Sequence, residues 1–167
     1  MHLEYKKMMS TRIPITTRGA EKLKAELDYL KKTARPNVVA AIAEAREKGD
    51  LSENAEYDAA REEQSHIEGR IAELEGKIPA LQIIDPKSVD AGERIVFGAT
   101  VGLYDEDDDI SVTYQIVGDD EADIKENRIS VSSPIARALI GKYEGDSVQF
   151  MAPKGLVSYE IESVEYI

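Results

Sequence analysis

Apolar residues in the first half of the chain recur with the spacing of helices. The first series consists of Leu23, Leu27, Leu30, Ala34, Val38, Ile42 and Ala45. The second series consists of Ala60, Ile67, Ile71, Leu74, Ile78 and Leu81, with the polar Gln64 at one position of the same spacing. Steps of four and three residues alternate throughout the second series and from Leu23 to Ala34 in the first, which is the heptad pattern of a coiled coil. We therefore predict helical structure from about Thr17 to Leu81.

The two series are separated by one short break, residues 48–52, with the sequence KGDLS. A connection this short forces neighbouring helices to run antiparallel. We predict a two-helix hairpin over residues 17–84 with its tip near residues 48–54, preceded by an extension and entry segment over residues 1–16. Pro36 should interrupt the first helix or begin a new segment of it, because proline lacks the backbone N–H. Gly69, Gly76 and Pro79 should weaken the second helix near its base.

The hydrophobic period changes to two after residue 85, which is typical of half-buried strands. The strand candidates are residues 94–97, 100–104, 110–116, 128–132, 147–151 and 156–166. One short helix interrupts them, since Ser133 can cap it, Pro134 fits its first turn and Gly141 can end it. Residues 85–167 are thus predicted to form a small antiparallel sheet with one packed helix, and the whole chain belongs to the α+β class.

Five consecutive carboxylates, residues 105–109, lie between two strand candidates. Because adjacent carboxylates repel one another, we interpret this run as a solvated hairpin loop. A calcium site is the alternative, but the ligand spacing and the glycine of a calcium-binding loop are missing.

Charge is distributed unevenly along the 167 residues, whose net charge is −12. Residues 1–48 carry 11 Lys and Arg against 6 Asp and Glu, whereas residues 85–167 carry 7 against 18. This asymmetry suggests that different parts of the molecule meet different surroundings, although a solvated acidic surface explains it equally well. Cysteine is absent, which excludes disulfides and thiolate metal sites. Without an apolar run that could span a membrane or serve as a secretory signal, we expect a soluble cytoplasmic protein.

Little catalytic chemistry is visible within the chain itself. A phosphate-binding glycine loop and a nucleophilic serine motif are both missing from the sequence. The two histidines, His2 and His66, are far apart in the sequence. An enzyme with its own active site is therefore the weaker class of hypothesis.

The tip concentrates carboxylates, with Asp50, Glu53, Glu56 and Asp58 within nine residues. One interpretation is structural: Asp50 followed three residues later by Glu53 resembles a capping box, and acidic residues favour a helix N-terminus. The other is functional: the exposed tip of a long hairpin is a poor place for charges that serve packing. Magnesium commonly takes only one or two protein carboxylates. Such a tip could complete a metal site that belongs to another protein.

Four segments together resemble the Gre family of transcription elongation factors. They are residues 49–57 (GDLSENAEY) with 59–62 (AARE) at the tip, residues 18–23 (RGAEKL), residues 116–123 (IVGDDEAD) and residues 129–142 (ISVSSPIARALIGK). The resemblance covers nearly the whole chain. It implies an N-terminal antiparallel coiled coil and a C-terminal domain similar to the FKBP fold, without isomerase activity.

The resemblance also implies a mechanism. The hairpin would enter the secondary channel of a backtracked bacterial RNA polymerase. Asp50 and Glu53 would act as catalytic residues donated in trans, helping to hold a magnesium ion that is shared with the polymerase. The polymerase would then cleave its own nascent RNA near the 3′ end. The factor has no tightly bound cofactor of its own in this scheme, and we expect it to be a monomer when free.

Further contacts follow from the resemblance. Arg46 and Arg61 would touch the extruded RNA or the channel walls, although a surface ion pair with a neighbouring glutamate is an equal alternative. Ser130, Ser133 and Pro134 would form a polymerase contact, although a strand followed by a helix cap explains them as well. The acidic second helix favours the A-type branch of the family and short cleavage products. The first eight residues precede the matching part, and Met9 could be the native start.

Three rival functions remain open. A non-cleaving channel inhibitor would share the architecture, but inhibitory relatives typically alter the tip carboxylates. An FKBP-like isomerase or chaperone with a coiled-coil extension predicts proline isomerisation by residues 86–167. A self-contained nuclease predicts RNA cleavage without polymerase.

Overall fold

The computed structural model describes residues 12–50 and 53–167. The chain folds as two compact units. One unit is Ala20–Ala80, and the other combines residues 12–19 with Leu81–Ile167. Among the described residues, no helix has both the length and the apolar character needed to cross a membrane.

The helical unit contains the predicted hairpin. Helix α1 (Thr17–Tyr29) passes through a π-helical segment (Leu30–Ala34) into α2 (Arg35–Glu47), and α3 (Ala55–Lys77) returns. A 3₁₀ turn, Ile78–Ala80, follows α3. The heptad series is therefore interrupted at its end, because Pro79 lies in this turn and Leu81 begins a strand rather than completing the helix. Gly69 and Gly76 both lie within α3, which continues through them.

Pro36 accounts for the π-helical segment. It occupies one of the first two positions of α2, where its missing N–H and its ring disturb the hydrogen bonding of the preceding helical turn. The N–H of Arg35 bonds to the carbonyl of Leu30, five residues earlier, so the chain widens by one residue immediately before the proline. The prediction that Pro36 interrupts the first helix or begins a new segment of it is confirmed.

The two arms of the hairpin are held together by an apolar strip and by ion pairs beside it. Val38 of α2 is buried against Ile67 and Ile71 of α3, and Leu27, Leu30 and Ala34 pack onto this cluster. Bidentate pairs join Arg35 to Glu68 (2.7 and 2.9 Å) and Arg70 to Glu26 (2.7 and 2.9 Å). Planar pairs of this kind bind more tightly than single contacts, which helps to keep the helices in register.

A two-stranded sheet, which was not predicted, joins the chain on either side of the hairpin. Strand β1 (Ile13–Thr16) pairs in parallel with β2 (Leu81–Ile84). Both strands have only four residues and carry no clear alternation of buried and exposed positions. The hydrophobic period therefore gives no signal for either strand.

The second unit is built on a five-stranded sheet. Its strands are β3 (Thr100–Asp105), β4 (Ile110–Val117), β5 (Arg128–Ser130), β6 (Ser147–Ala152) and β7 (Gly155–Glu165). They are arranged in the order β5-β4-β3-β7-β6, and neighbours are antiparallel except β4 and β5, which run parallel. Helix α4 (Pro134–Leu139) contributes Ala136 and Leu139 to the core under the sheet. The α+β class is confirmed, with a sheet that is mostly rather than wholly antiparallel.

The strand predicted over residues 94–97 is wrong. This segment forms one isolated bridge, Arg94 to Tyr143, and its other backbone bonds go to a loop and a side chain. The N–H of Ile95 donates to the carbonyl of Lys142, whereas the N–H of Val96 donates to the Tyr166 hydroxyl. Since successive residues bond to different partners, no ladder can form.

The acidic run of residues 105–109 turns between β3 and β4, as the hairpin interpretation predicted. The Asp105 carboxylate accepts hydrogen bonds from the N–H groups of Asp107 (3.0 Å) and Asp108 (3.2 Å). The Asp105 side chain therefore stabilises the turn by accepting two of its backbone N–H groups.

Candidate functional site

The tip of the hairpin is closed by one asparagine. The Asn54 side chain accepts the N–H of Tyr57 at 3.1 Å and donates to the carbonyl of Ala45 at 2.7 Å. It thus caps the N-terminus of α3 and ties that end to the last turn of α2. An asparagine can do both because its amide carries an acceptor and a donor.

Asp50 and Glu53 are exposed and line the same open depression at the tip. Its other described lining residues are Lys48, Asn54, Ala55 and Glu56. The capping role suggested for Asp50 and Glu53 is wrong for α3, since the cap of that helix is Asn54. Residues 51 and 52, which complete the predicted break, lie outside the described residues.

Lys48 links the two arms beside these carboxylates. Its Nζ lies 3.2 Å from a carboxylate oxygen of Glu56 on α3 and 3.6 Å from one of Glu44 on α2. The hydrogen bond from Lys48 to Glu56, followed by the charges of Glu56 and Glu44, raises the pKa of Lys48. The ammonium group therefore stays charged at the tip at any ordinary pH.

Arg46 and Arg61 come together on Tyr57. Each guanidinium carbon lies 5.9 Å from the centroid of the Tyr57 ring, a distance typical of cation–π contacts. Arg61 also donates to the Tyr57 hydroxyl at 3.1 Å. Within residues 12–50 and 53–167, neither arginine forms an ion pair with a glutamate, so the alternative offered for them from sequence is wrong.

Ser130, Ser133 and Pro134 lie together where β5 leads into α4. The Ser133 hydroxyl accepts the N–H of Ala136 at 3.3 Å and donates to the carbonyl of Ser130 at 2.6 Å. Pro134 begins α4, and the Ser130 hydroxyl bonds to Asp119. The capping interpretation accounts for Ser133 and Pro134. Because β5 is an edge strand, Ser130 lies at a border of the sheet.

Comparison with known proteins decides the family. Residues 13–83 match the family model described as transcription elongation factor, N-terminal. Residues 90–166 match the model described as transcription elongation factor, GreA/GreB, C-term. The chain belongs to the GreA/GreB family.

Relatives named transcription elongation factor GreA align along most of this GreA/GreB chain. The protein of Verminephrobacter eiseniae is 61% identical over 93% of this chain and 99% of its own. That of Halorhodospira halophila is 64% identical over the same shares. That of Ralstonia nicotianae is 64% identical over 95% of this chain and 100% of its own. These names confirm the prediction of an A-type member.

The donor set at the tip of this GreA/GreB chain fits magnesium only in part. In the described part of the chain, no group of three or more His, Asp or Glu side chains could hold a metal ion. Two exposed carboxylates, Asp50 and Glu53, supply the hard oxygen ligands that magnesium prefers. A complete coordination shell would need water and ligands from another molecule.

Sequence reasoning missed two residues that organise this tip, Asn54 and Tyr57. Asn54 had a signal, because asparagine directly before a predicted helix is a preferred cap. Tyr57 had none, since its contact with an arginine of the other helix depends on how the two helices pack.

Proposed function

We propose that this GreA/GreB family member stimulates transcript cleavage by bacterial RNA polymerase. Its hairpin tip enters the secondary channel of a backtracked complex, and Asp50 and Glu53 are donated in trans to the polymerase active site. The observation that carries this proposal is that Asn54 caps α3, whereas Asp50 and Glu53 are not needed for that cap and line an exposed depression. Cleavage restores an RNA 3′ end in the active site and rescues the arrested complex.

The two carboxylates would act together with groups of the polymerase. Asp50 and Glu53 would share the coordination of a magnesium ion and accept hydrogen bonds from the attacking water. When bound, magnesium supplies a Lewis acid for phosphoryl transfer. Because the chain offers only part of the coordination shell, it is not expected to cut RNA without polymerase.

Arg46 and Arg61 would contact the extruded RNA beside these carboxylates. Both are exposed, and both keep guanidinium groups that no described carboxylate neutralises. Guanidinium groups bind phosphate through charge-assisted hydrogen bonds. The RNA would thus meet cations on the sides of the tip and carboxylates at its end.

The second unit would hold the polymerase surface. Ser130, Ser133 and Pro134 lie at an edge strand and the start of α4, where side chains can reach a partner. The FKBP-like character of this unit, the monomeric state of the free factor and its cytoplasmic location belong to the same proposal.

The test uses a stalled, backtracked complex with 3′-labelled RNA and magnesium. We compare the wild-type factor with Asp50→Asn and Glu53→Gln, and with Asp58→Asn as a control that removes one charge from the same segment. The wild type and Asp58→Asn should release short 3′ fragments. Each tip variant should bind the complex but cleave about 100-fold more slowly, as expected when one group that stabilises transition-state charge is lost.

Other outcomes favour the rival functions. A wild-type factor that binds but releases no fragment is a channel inhibitor. Cleavage of naked RNA indicates a self-contained nuclease. Acceleration of proline isomerisation by the full chain indicates an isomerase. Equal activity of all three variants would show that the carboxylates play no catalytic role.

A further inference from the structure

Tyr57 lies in the first turn of α3 and contacts an arginine from each arm of the hairpin. Arg46 belongs to the last turn of α2, and Arg61 lies one turn after Tyr57 on α3. Both guanidinium groups lie 5.9 Å from the ring centroid, and the Tyr57 backbone is fixed by the Asn54 cap. Asn54 therefore fixes the backbone of Tyr57, and the half-buried ring of Tyr57 contacts both arginines.

The arginines nearer the base of the hairpin behave differently. Arg35 forms a bidentate pair with Glu68, and Arg70 forms one with Glu26. Carboxylates are equally plentiful near the tip, where Glu44, Glu47 and Glu62 are exposed. Nevertheless, within the described ranges neither Arg46 nor Arg61 pairs with an acid. The contrast shows that the tip keeps its arginine charges uncompensated.

Two guanidinium groups on one ring repel each other, so their approach needs a group that attracts both. The ring face and the phenolic oxygen of Tyr57 provide that attraction. The arrangement leaves the remaining N–H donors of both arginines available beside the Tyr57 ring. A phosphate group, with several acceptor oxygens and negative charge, is the ligand that such a pair of donors suits.

We propose that Tyr57 is a positioning residue that combines Arg46 and Arg61 into a single site for a phosphate group of the extruded RNA. The inference rests on the proposed function, because that function brings RNA to the tip. It adds that the two arginines act as one unit and that Tyr57, which does not itself take part in the chemistry, sets their geometry.

The electrostatics of the tip agree with this geometry. The nearby guanidinium groups of Arg46 and then of Arg61 lower the pKa of the Tyr57 hydroxyl, and Arg61 donates to it at 3.1 Å. Both cations therefore interact with the phenolic oxygen as well as with the ring.

The first arm of the test uses the free factor and does not depend on polymerase. The titration of Tyr57 is followed by NMR with ¹³C-labelled tyrosine in the wild type, Arg46→Gln, Arg61→Gln and Arg35→Gln. The pKa of Tyr57 should rise in the first two variants and stay unchanged in Arg35→Gln, whose arginine pairs with Glu68. An unchanged pKa in Arg46→Gln would overturn the proposal, because Tyr57 would then not join the two arms.

The second arm measures affinity for stalled complexes with and without extruded RNA. It is performed in the Asp50→Asn background, where cleavage is too slow to shorten the RNA during the measurement, so that a failure of the cleavage function does not affect the result. Tyr57→Leu should weaken binding to the backtracked complex by about two- to fivefold, the range expected for cation–π contacts near a surface. Binding to the complex without extruded RNA should not change.

Variants separate positioning from folding. Tyr57→Phe keeps the ring and should lose less affinity than Tyr57→Leu, while Tyr29→Leu serves as an exposed tyrosine control. Arg46→Gln should reduce affinity for the backtracked complex less when Tyr57 is already replaced by leucine than when Tyr57 is present. Without Tyr57 the two arginines no longer form one site, so there is less affinity to lose. Equal loss in both backgrounds, or a Tyr57→Leu variant that retains full preference for the backtracked complex, would overturn the proposal.

Discussion

The carboxylate of Glu121 accepts the backbone N–H of Thr16 at 2.9 Å, although 105 residues separate the two. The Thr16 hydroxyl also bonds to this carboxylate and accepts the N–H of Gly19 at 3.2 Å. In a capping box a glutamate at the third helical position performs the reciprocal bond. Here that position is Gly19, and Glu121 takes the role from another part of the sheet unit.

Removal of Glu121 should therefore destabilise the sheet unit. Its Oε2 also accepts the N–H of Gly118 at 2.9 Å, so Glu121→Ala leaves two buried N–H groups and the Thr16 hydroxyl without their partner. Each such loss costs about 1–3 kcal/mol. We expect the free energy of unfolding to fall by about 2–4 kcal/mol in urea titrations. Glu144→Ala, at an exposed position, should have little effect, and equal stability of the two variants would contradict the assignment.

Alanine substitutions at Gly19 and Gly69 should change the free energy of unfolding in opposite directions. Both glycines lie in helices, where alanine normally stabilises by about 0.5–1 kcal/mol. A Cβ at Gly69 meets no atom within 4 Å, so Gly69→Ala should raise the free energy of unfolding. A Cβ at Gly19 would collide with the Glu121 carboxyl group, so Gly19→Ala should lower it. Thermal unfolding of the two variants measures both signs, and a stabilising Gly19→Ala would refute this account of Glu121.

The helices of the hairpin were predictable because their signal is local and repeated. The apolar residues of each arm recur every three or four positions, and no single residue decides the result. The interruption before Pro36 was predictable for a different reason, since proline has a fixed backbone chemistry wherever it occurs.

Glu121 and the β1–β2 pair were not predictable for one shared reason. Glu121 ends the run Asp119, Asp120, Glu121, which has the composition of a solvated acidic turn, yet its side chain is only 9% exposed. Strand β1 pairs with residues that lie beyond the whole hairpin. Hydrophobic period and local composition carry no information about partners so distant in the sequence.

The position of the candidate site was predicted from the sequence, but the contacts that support it were not. The exposure of Asp50 and Glu53 at the tip follows from the short break between two heptad series. The capping interpretation of Asp50 rested on Glu53, which follows it at the spacing of a capping box, but Asn54 is next to the first helical residue and takes the cap position. The magnesium role, the RNA contacts, the polymerase contacts and the FKBP likeness stay predictions.

The ion pair of Glu26 and Arg70 should make hairpin stability depend on pH. The hydrogen bond from Arg70 holds the pKa of Glu26 below its usual value of 4.5. Because the folded-state pKa is the lower one, the stabilisation is complete above pH 4.5 and is lost as the pH falls through the folded-state value. Since Glu26 is partly exposed, the contribution is below about 1 kcal/mol.

This pH dependence can be measured by urea unfolding of the wild type and Glu26→Gln at pH 7 and at pH 3. The wild type should be more stable than Glu26→Gln at pH 7, and this difference between the two proteins should largely disappear at pH 3. Glu21→Gln, at an exposed position of the same helix, controls for the loss of one negative charge. A difference between wild type and Glu26→Gln that persists unchanged at pH 3 would mean that the pair contributes through packing rather than charge.

Asn54 provides a way to separate the support of the tip from its chemistry. Asn54→Ala loses both the cap on Tyr57 and the bond to the Ala45 carbonyl, and should destabilise the hairpin by about 1–2 kcal/mol. Asn54→Asp keeps an acceptor for the Tyr57 N–H but cannot donate to Ala45, so it should be less destabilised. Hydrogen exchange at the Tyr57 amide reports the cap directly, with protection in Asn54→Asp and its loss in Asn54→Ala.

The same variants should differ from the carboxylate variants in their response to magnesium. Asn54→Ala leaves Asp50 and Glu53 in the chain, so its stimulated cleavage should weaken while the magnesium concentration that gives half-maximal rate stays unchanged. Asp50→Asn removes a carboxylate that we propose as a magnesium ligand, so a higher magnesium concentration should be needed. If Asn54→Ala shifted the magnesium dependence as far as Asp50→Asn does, Asn54 would have to belong to the metal site. Its role as a helix cap would then not explain the effect.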